Sequence, residues 1–193
     1  ESVDPKKMIL APYHPDLPEM RNTYAKYASA ISKMDSLVGQ AIENLKRDNL
    51  YENTIVIYNS DHGGVLARSK RFLYSSGIHC PLIVRIPAKW NHLYPQGKKP
   101  GSTIDRIVSF IDMPKTWVSL TGAAMKKNFQ GRIFLGPDTD PPADYHFSWR
   151  ERADERFDNV RVMRDEQFAY HKNYAPFVPV SYTHLTLPTK NEV

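Results

Sequence analysis

Asp61 and His62 stand side by side, and two glycines, Gly63 and Gly64, follow them. A carboxylate and an imidazole are both ligands for a divalent cation. The plainer reading is a polar turn, with Asp61 as a cap and His62 in the turn. Adjacent side chains on an extended strand leave opposite faces, so both reach one ion only if the chain bends. Gly63 and Gly64 are expected to permit that bend through their conformational freedom. The run "TIVIY" precedes these residues and the basic stretch "VLARSKR" follows them.

The elements around the pair have to position it. Residues 54–59, "TIVIYN", form a β-branched run that reads as a strand buried on both faces, as in a central parallel sheet. Such sheets place ligands at the carboxyl ends of their strands, where Asp61 and His62 lie. Residues 18–48 before it predict a long helix. Tyr24, Tyr27, Ala28, Ile31, Met34, Val38, Ala41, Ile42 and Leu45 make a stripe at helical period. Pro18 suits its first turn, and Lys46 and Arg47 suit its negative end. "CPLIVRIP" at 80–87 predicts a second strand, stopped by Pro87. Residues 104–124 predict a short strand and then a helix, with Asp112 as N-cap and Gly122 as its stop. Residues 145–174 predict two or three strands of a small antiparallel layer, with "NVRVMRD" and "QFAYHKNY" as neighbours. Residues 1–17 are Pro-rich and extended, and His14 within them is expected at the surface. His79 lies between Gly77 and the second strand, facing either the mouth of a pocket or the strand entry.

Composition narrows the class of function. The 193 residues are 41% hydrophobic and 24% charged, which suits an ordinary globular chain of one domain with a sizeable core. No apolar stretch approaches the roughly 20 residues that span a bilayer. The net charge of +5 favours anionic partners, but the basic residues are scattered and form no nucleic-acid signature. An anionic substrate, small or polymeric, is the better expectation. The single cysteine, Cys80, excludes an internal disulfide.

Several blocks, taken in order, resemble a sulfatase of the alkaline phosphatase superfamily. They are the long helix and strand running into "NSDHGG", then "SKRFLYSSGIHCPLIVRIP", "IVSFIDMPKTWVSLTGA" and "RVMRDEQFAYHKNYAP". The third is similar to the family's S-x-x-D-x-x-P-T helix, with Lys115 standing between Pro114 and Thr116. The resemblance covers roughly residues 10–178. It implies an α/β fold with an incomplete alkaline-phosphatase-like central sheet flanked by helices. Residues 1–144 would be the later part of the catalytic domain and 145–178 a small antiparallel subdomain. It implies that Asp61 and His62 are ligands of one divalent cation. Ca²⁺ is the first expectation, with Mn²⁺ or Zn²⁺ open because many sulfatases carry Asn where His62 stands. Lys70 would contact the sulfate and neutralise charge on its oxygens, and His79 would line the substrate side. A solvated basic loop of Arg68, Lys70 and Arg71 is the plainer reading. The implied substrate is a sulfate ester or N-sulfate, on carbohydrate, and the implied location is periplasmic or secreted.

The same resemblance implies what this chain lacks. The family's early Asp-Asp metal pair is absent, and so is the Cys/Ser-x-Pro/Ala/Ser-x-Arg sequence that yields the formylglycine nucleophile. Cys80 fails that pattern because Leu82 and Val84 occupy its third and fifth places. Ser148 fails because Arg150 occupies the third. The chain is therefore expected to be a fragment, inactive alone. A phosphodiesterase or phosphonate monoester hydrolase of the same superfamily, or a non-catalytic relative, remains open at this point. Residues 180–189, "VSYTHLTLPT", resemble a sequencing adapter translated in one frame, so 179–193 is set aside as a non-native tail.

Overall fold

A computed structural model describes residues 3–153 and 156–177. The tail set aside above lies outside the described residues. Helix α1 runs Pro18–Arg47, with Pro18 in its first turn and Lys46 and Arg47 in its last. Asn49, at φ 57°, takes the left-handed conformation that ends it. The apolar stripe forms as expected but is only half covered: Ala25 is the one buried residue, and Ile31 is exposed.

Strand β1 spans Val56–Asn59 and β2 spans Leu82–Arg85. They pair antiparallel, with Val56 opposite Arg85 and Asn59 opposite Leu82. The expected parallel arrangement is thus corrected. A parallel return needs a crossover of a dozen or more residues, usually a helix. The only helix between these strands is the single turn α2, Ser75–Ile78. The strands therefore fold back on each other. Nor is β1 buried on both faces, since Ile57 is exposed. Arg85 fixes the entrance to β1: its Nη1 donates to the Tyr51 carbonyl at 2.5 Å, and its guanidinium lies 3.6 Å from the Tyr51 ring centroid.

Helix α3 covers Asp112–Leu120, and Gly122 ends it at φ 67°. The short strand expected before it reduces to one isolated bridge, Ile107 to Ala143. Asp112 is the first helical residue rather than the cap. Its carboxylate is buried and accepts the N–H of Ser109 and of Arg132, each at 2.8 Å. Thr116, fully buried, donates to the Asp112 carbonyl at 2.8 Å and accepts the Phe134 N–H at 3.2 Å. Lys115, the residue that departs from the family pattern, donates to the Gly131 carbonyl at 3.2 Å and to Asp140 at 3.1 Å. This motif is a structural rivet between α3 and residues 131–134. The core forms there: Ile86, Leu93, Phe134 and Leu135 are buried, and Val84, Met113, Trp117 and Leu120 pack on them.

Strands β3 (His146–Ala153), β4 (Arg156–Arg164) and β5 (Ala169–Asn173) form an antiparallel sheet in the order β3-β4-β5. "NVRVMRD" and "QFAYHKNY" are neighbours in it, as Val162 pairs with His171. One face carries Val162, nearly fully buried, toward the body of the chain. Alternate residues such as Phe147 and Trp149 point outward and are exposed.

Candidate metal centre

Residues 60–64 leave the end of β1 and dock against α2. The Gly63 N–H donates to the Gly77 carbonyl at 2.9 Å, and the Gly64 N–H to the Ser76 carbonyl at 3.1 Å. A Cβ on Gly63 would lie 2.1 Å from the Ser76 carbonyl oxygen. A Cβ on Gly77 would lie 2.1 Å from the Phe72 carbonyl oxygen and 2.2 Å from that of Ser69. The two glycines therefore let backbone meet backbone. Neither Gly63 nor Gly64 has a positive φ, so the expected conformational reason is replaced by a steric one.

The docked loop presents the two candidate ligands. His62 Nδ1 lies 2.6 Å from the Gly63 carbonyl, which can only accept, so Nδ1 carries the proton. Nε2 is left with a free lone pair, the usual state of a metal-binding imidazole. That Nε2 lies 3.6 Å from Asp61 Oδ1. Ligands bind divalent cations at about 2.0–2.6 Å, so two at a right angle stand about 2.8–3.7 Å apart. The pair fits one ion. The Asp61 side chain is 88% exposed and that of His62 28%, leaving room for further ligands. Among the described residues no group of three or more His, Cys, Asp or Glu is assembled for a metal. Cys80 lies close enough for Asp61 to act on it. Burial first, and then the Asp61 charge, push its thiol pKa up, which keeps it protonated and unsuited to nucleophilic work.

Lys70 belongs to the same construction through its backbone. Its N–H donates to the Gly64 carbonyl at 2.8 Å. Its side chain is exposed and makes no hydrogen bond or ion pair among the described residues. The loop around it is strained: Arg68 and Arg71 adopt φ of 61° and 74°, conformations that L side chains rarely take. Ser76 Oγ donates to the Arg68 carbonyl at 2.8 Å and helps hold the loop there. His79 ends α2 with an exposed side chain. No side-chain hydrogen bond or ion pair joins Lys70 or His79 to Asp61 or His62 among the described residues.

His14 overturns the surface expectation. It is 6% exposed, and its two nitrogens reach Tyr24 Oη at 2.7 Å and the Ala67 carbonyl at 3.0 Å. Ala67 can only accept, so Nε2 carries the proton and Nδ1 accepts from Tyr24. Tyr24 Oη in turn accepts the Ala11 N–H at 3.0 Å. This chain of bonds ties the Pro-rich arm, α1 and the Lys70 loop together. No local pattern around "PYHP" signals it, because the partner carbonyl is 53 residues away.

The chain is 34% identical over 191 residues to an ulvan-active sulfatase of Formosa agariphila, covering 97% of this chain and 30% of that protein. It is 29% identical over 134 residues to an N-acetylglucosamine-6-O-sulfatase of Bacteroides thetaiotaomicron, covering 66% of this chain and 22% of that protein. The chain thus spans less than a third of the length of these curated relatives. A solved structure of BT4656 in complex with its substrate D-glucosamine-2-N,6-O-disulfate superposes with TM-score 0.67. That match has 23% identity and covers 82% of this chain and 33% of that one, so it shows the alkaline-phosphatase-like fold. Residues 6–123, more than half of the chain, match the family model described as Sulfatase, and the chain belongs to the sulfatase family.

Proposed function

We propose that this chain supplies one wall of the active site of a divalent-cation sulfatase that acts on sulfate groups of carbohydrates. The observation that supports this most is the backbone tie between the Asp61–His62 loop and Lys70 through the Gly64 carbonyl. Asp61 Oδ1 and His62 Nε2 would hold the cation, Ca²⁺ first, with Mn²⁺ or Zn²⁺ open to the imidazole. When bound, that ion supplies positive charge to the substrate oxygens. The free Lys70 ammonium binds sulfate oxygens and offsets the charge that grows on them in the transition state. His79, with both ring nitrogens unengaged among the described residues, is assigned a substrate contact at the rim. No residue of this chain stands in the formylglycine pattern, so in this reading the nucleophile comes from sequence outside these 193 residues.

The relatives support the sugar sulfate. One is named for ulvan, another for N-acetylglucosamine 6-O-sulfate, and the solved neighbour holds a disulfated glucosamine. A periplasmic or secreted location fits such substrates. No helix of the described residues is long and apolar enough to cross a membrane. The test uses the full-length protein on sugar O-sulfates and N-sulfates, a phosphate diester and a phosphonate monoester. Sulfate release is the expected outcome, with Lys70→Ala losing about 10²–10³-fold. Asp61→Ala should abolish both the activity and cation binding by calorimetry. Preference for the phosphorus esters, or full activity in Asp61→Ala, would overturn the assignment.

A further inference from the structure

A cavity of about 400 Å³ opens between the Pro-rich arm, the Lys70 loop and the inner face of the β3–β5 sheet. Its size falls within the roughly 300–1,000 Å³ of small-molecule sites. Neither Asp61, His62 nor Lys70 lines it. Its walls carry three rings, Tyr13, Tyr74 and His171, and two guanidinium groups, Arg68 and Arg164. The floor is apolar and includes the buried Val162. No carboxylate lines it, so its charge has one sign.

The two arginines are held in place without an ion pair to a carboxylate among the described residues. The Arg68 guanidinium stands 5.4 Å from the Tyr13 ring centroid and 4.9 Å from that of Tyr74. Cation–π contact of this kind positions the guanidinium and leaves its N–H edge without an anion. Arg164 Nη1 donates to Ser75 Oγ at 2.5 Å. Neither arginine has a carboxylate partner among the described residues. Asp165, next to Arg164, accepts the N–H groups of Gln167 and Phe168 on Oδ1 at 2.7 and 2.5 Å, and its charge reaches Arg164 through space without a hydrogen bond. The Tyr74 and His171 rings lie 5.6 Å apart at 34°, forming an aromatic wall beside the charges.

Flat aromatic walls suit the apolar face of a sugar ring, and a guanidinium fork without a carboxylate ion pair suits a planar carboxylate or a sulfate. We propose that this cavity is a second saccharide site, taking a pyranose that bears an anionic group. It rests on the carbohydrate reading above for the sugar. It shares no ligand with the metal centre. In a polymeric substrate it would hold a residue beyond the one that loses sulfate.

The test is direct binding to the full-length protein, by calorimetry or saturation-transfer NMR, with EDTA present so that the metal centre is silent. The probes are glucuronic acid, glucose 6-sulfate, glucose and inorganic sulfate. One or both anionic sugars should bind at least tenfold more tightly than glucose and than free sulfate. The difference between the two sugars identifies carboxylate or sulfate as the anion. Arg164→Ala should weaken that binding at least tenfold, and Arg164→Lys, which keeps the charge but not the fork, should restore only part. If Arg164→Ala does not fold, Tyr13→Ala reads the same site from an exposed side chain. Asp61→Ala should lose hydrolysis and keep this binding, so failure of the metal centre is separate from failure of this site. Equal binding of glucose, equal binding of free sulfate, or anionic-sugar binding unchanged in the cavity variants would overturn the proposal.

Discussion

Gly63→Ala is the sharpest probe of how the Asp61–His62 loop is held. The added Cβ would lie 2.1 Å from the Ser76 carbonyl oxygen and 2.8 Å from the Gly77 Cα and carbonyl carbon. Non-bonded heavy atoms settle near 3.5–4.0 Å, so the two backbones must part by about 1 Å or more. All three atoms are backbone, so no side chain can swing away. That separation breaks the hydrogen bonds from Gly63 to Gly77 and from Gly64 to Ser76. Two lost bonds remove about 1–3 kcal/mol and the forced packing costs about 1–3 more. A central value of about 4 kcal/mol lowers Tm by about 8–16 °C in a chain of this size. Gly64→Ala is the matched control. Its Cβ would meet side chains rather than backbone, the end of Tyr27 with Oη at 3.1 Å and Ser69 Oγ at an ordinary 3.8 Å. With no positive φ to lose, it should change stability by less than about 1 kcal/mol. Thermal unfolding by circular dichroism, paired with cation titration, reads both variants. Gly63→Ala should also weaken cation binding, because the same docking aims His62. The steric reasoning is refuted if Gly63→Ala melts within 2 °C of Gly64→Ala.

Three further outcomes follow from the same geometry. His14→Phe leaves the Ala67 carbonyl and the Tyr24 hydroxyl without their partner, so denaturant unfolding should show a loss of about 1–3 kcal/mol. In the full-length protein it should lower kcat together with kcat/KM for sulfate release, because the loop it holds carries Lys70. Thr116→Val keeps the shape of a fully buried side chain but strands the Phe134 N–H, so equilibrium unfolding should register about 1–3 kcal/mol. The Asp140 carboxyl is held below its usual pKa, first by the Ile133 N–H and then by Lys115. A depressed folded pKa means the unfolded chain binds the proton more readily. The stabilisation is therefore complete above the ordinary Asp value near 4 and is lost as pH falls through the folded value. Asp140→Asn should flatten the acid limb of stability against pH, and an unchanged limb would count against that role.

Much of the architecture is legible in the sequence. The 3.6 period of α1, the proline that opens it and the basic residues that close it are local signals, and the helix lies within a residue of where they put it. The β-branched runs mark both strands of the first sheet. The alternation in "NVRVMRD" and "QFAYHKNY" marks two neighbours of the second. Asp61 and His62 follow a strand end, and the chain alone showed that. Periodicity reports which face of an element is apolar. It does not report what covers that face or in which direction the next strand runs. The antiparallel pairing of β1 with β2, the half-covered stripe of α1 and the single bridge at Ile107 came only with the fold.

The same division runs through the site. Residue types named Asp61, His62, Lys70 and His79, because carboxylate, imidazole and ammonium chemistry is intrinsic to those side chains. Their support is not intrinsic. Gly63 is required by Gly77, His14 is buried by Ala67, and Arg164 reaches Ser75 across 89 residues. A glycine that admits a neighbouring backbone looks in sequence like a glycine that permits a turn. A histidine bonded at both nitrogens looks like one in solvent. Only the tertiary contacts tell these apart, because the free energy that fixes each residue comes from a partner that chain order keeps distant.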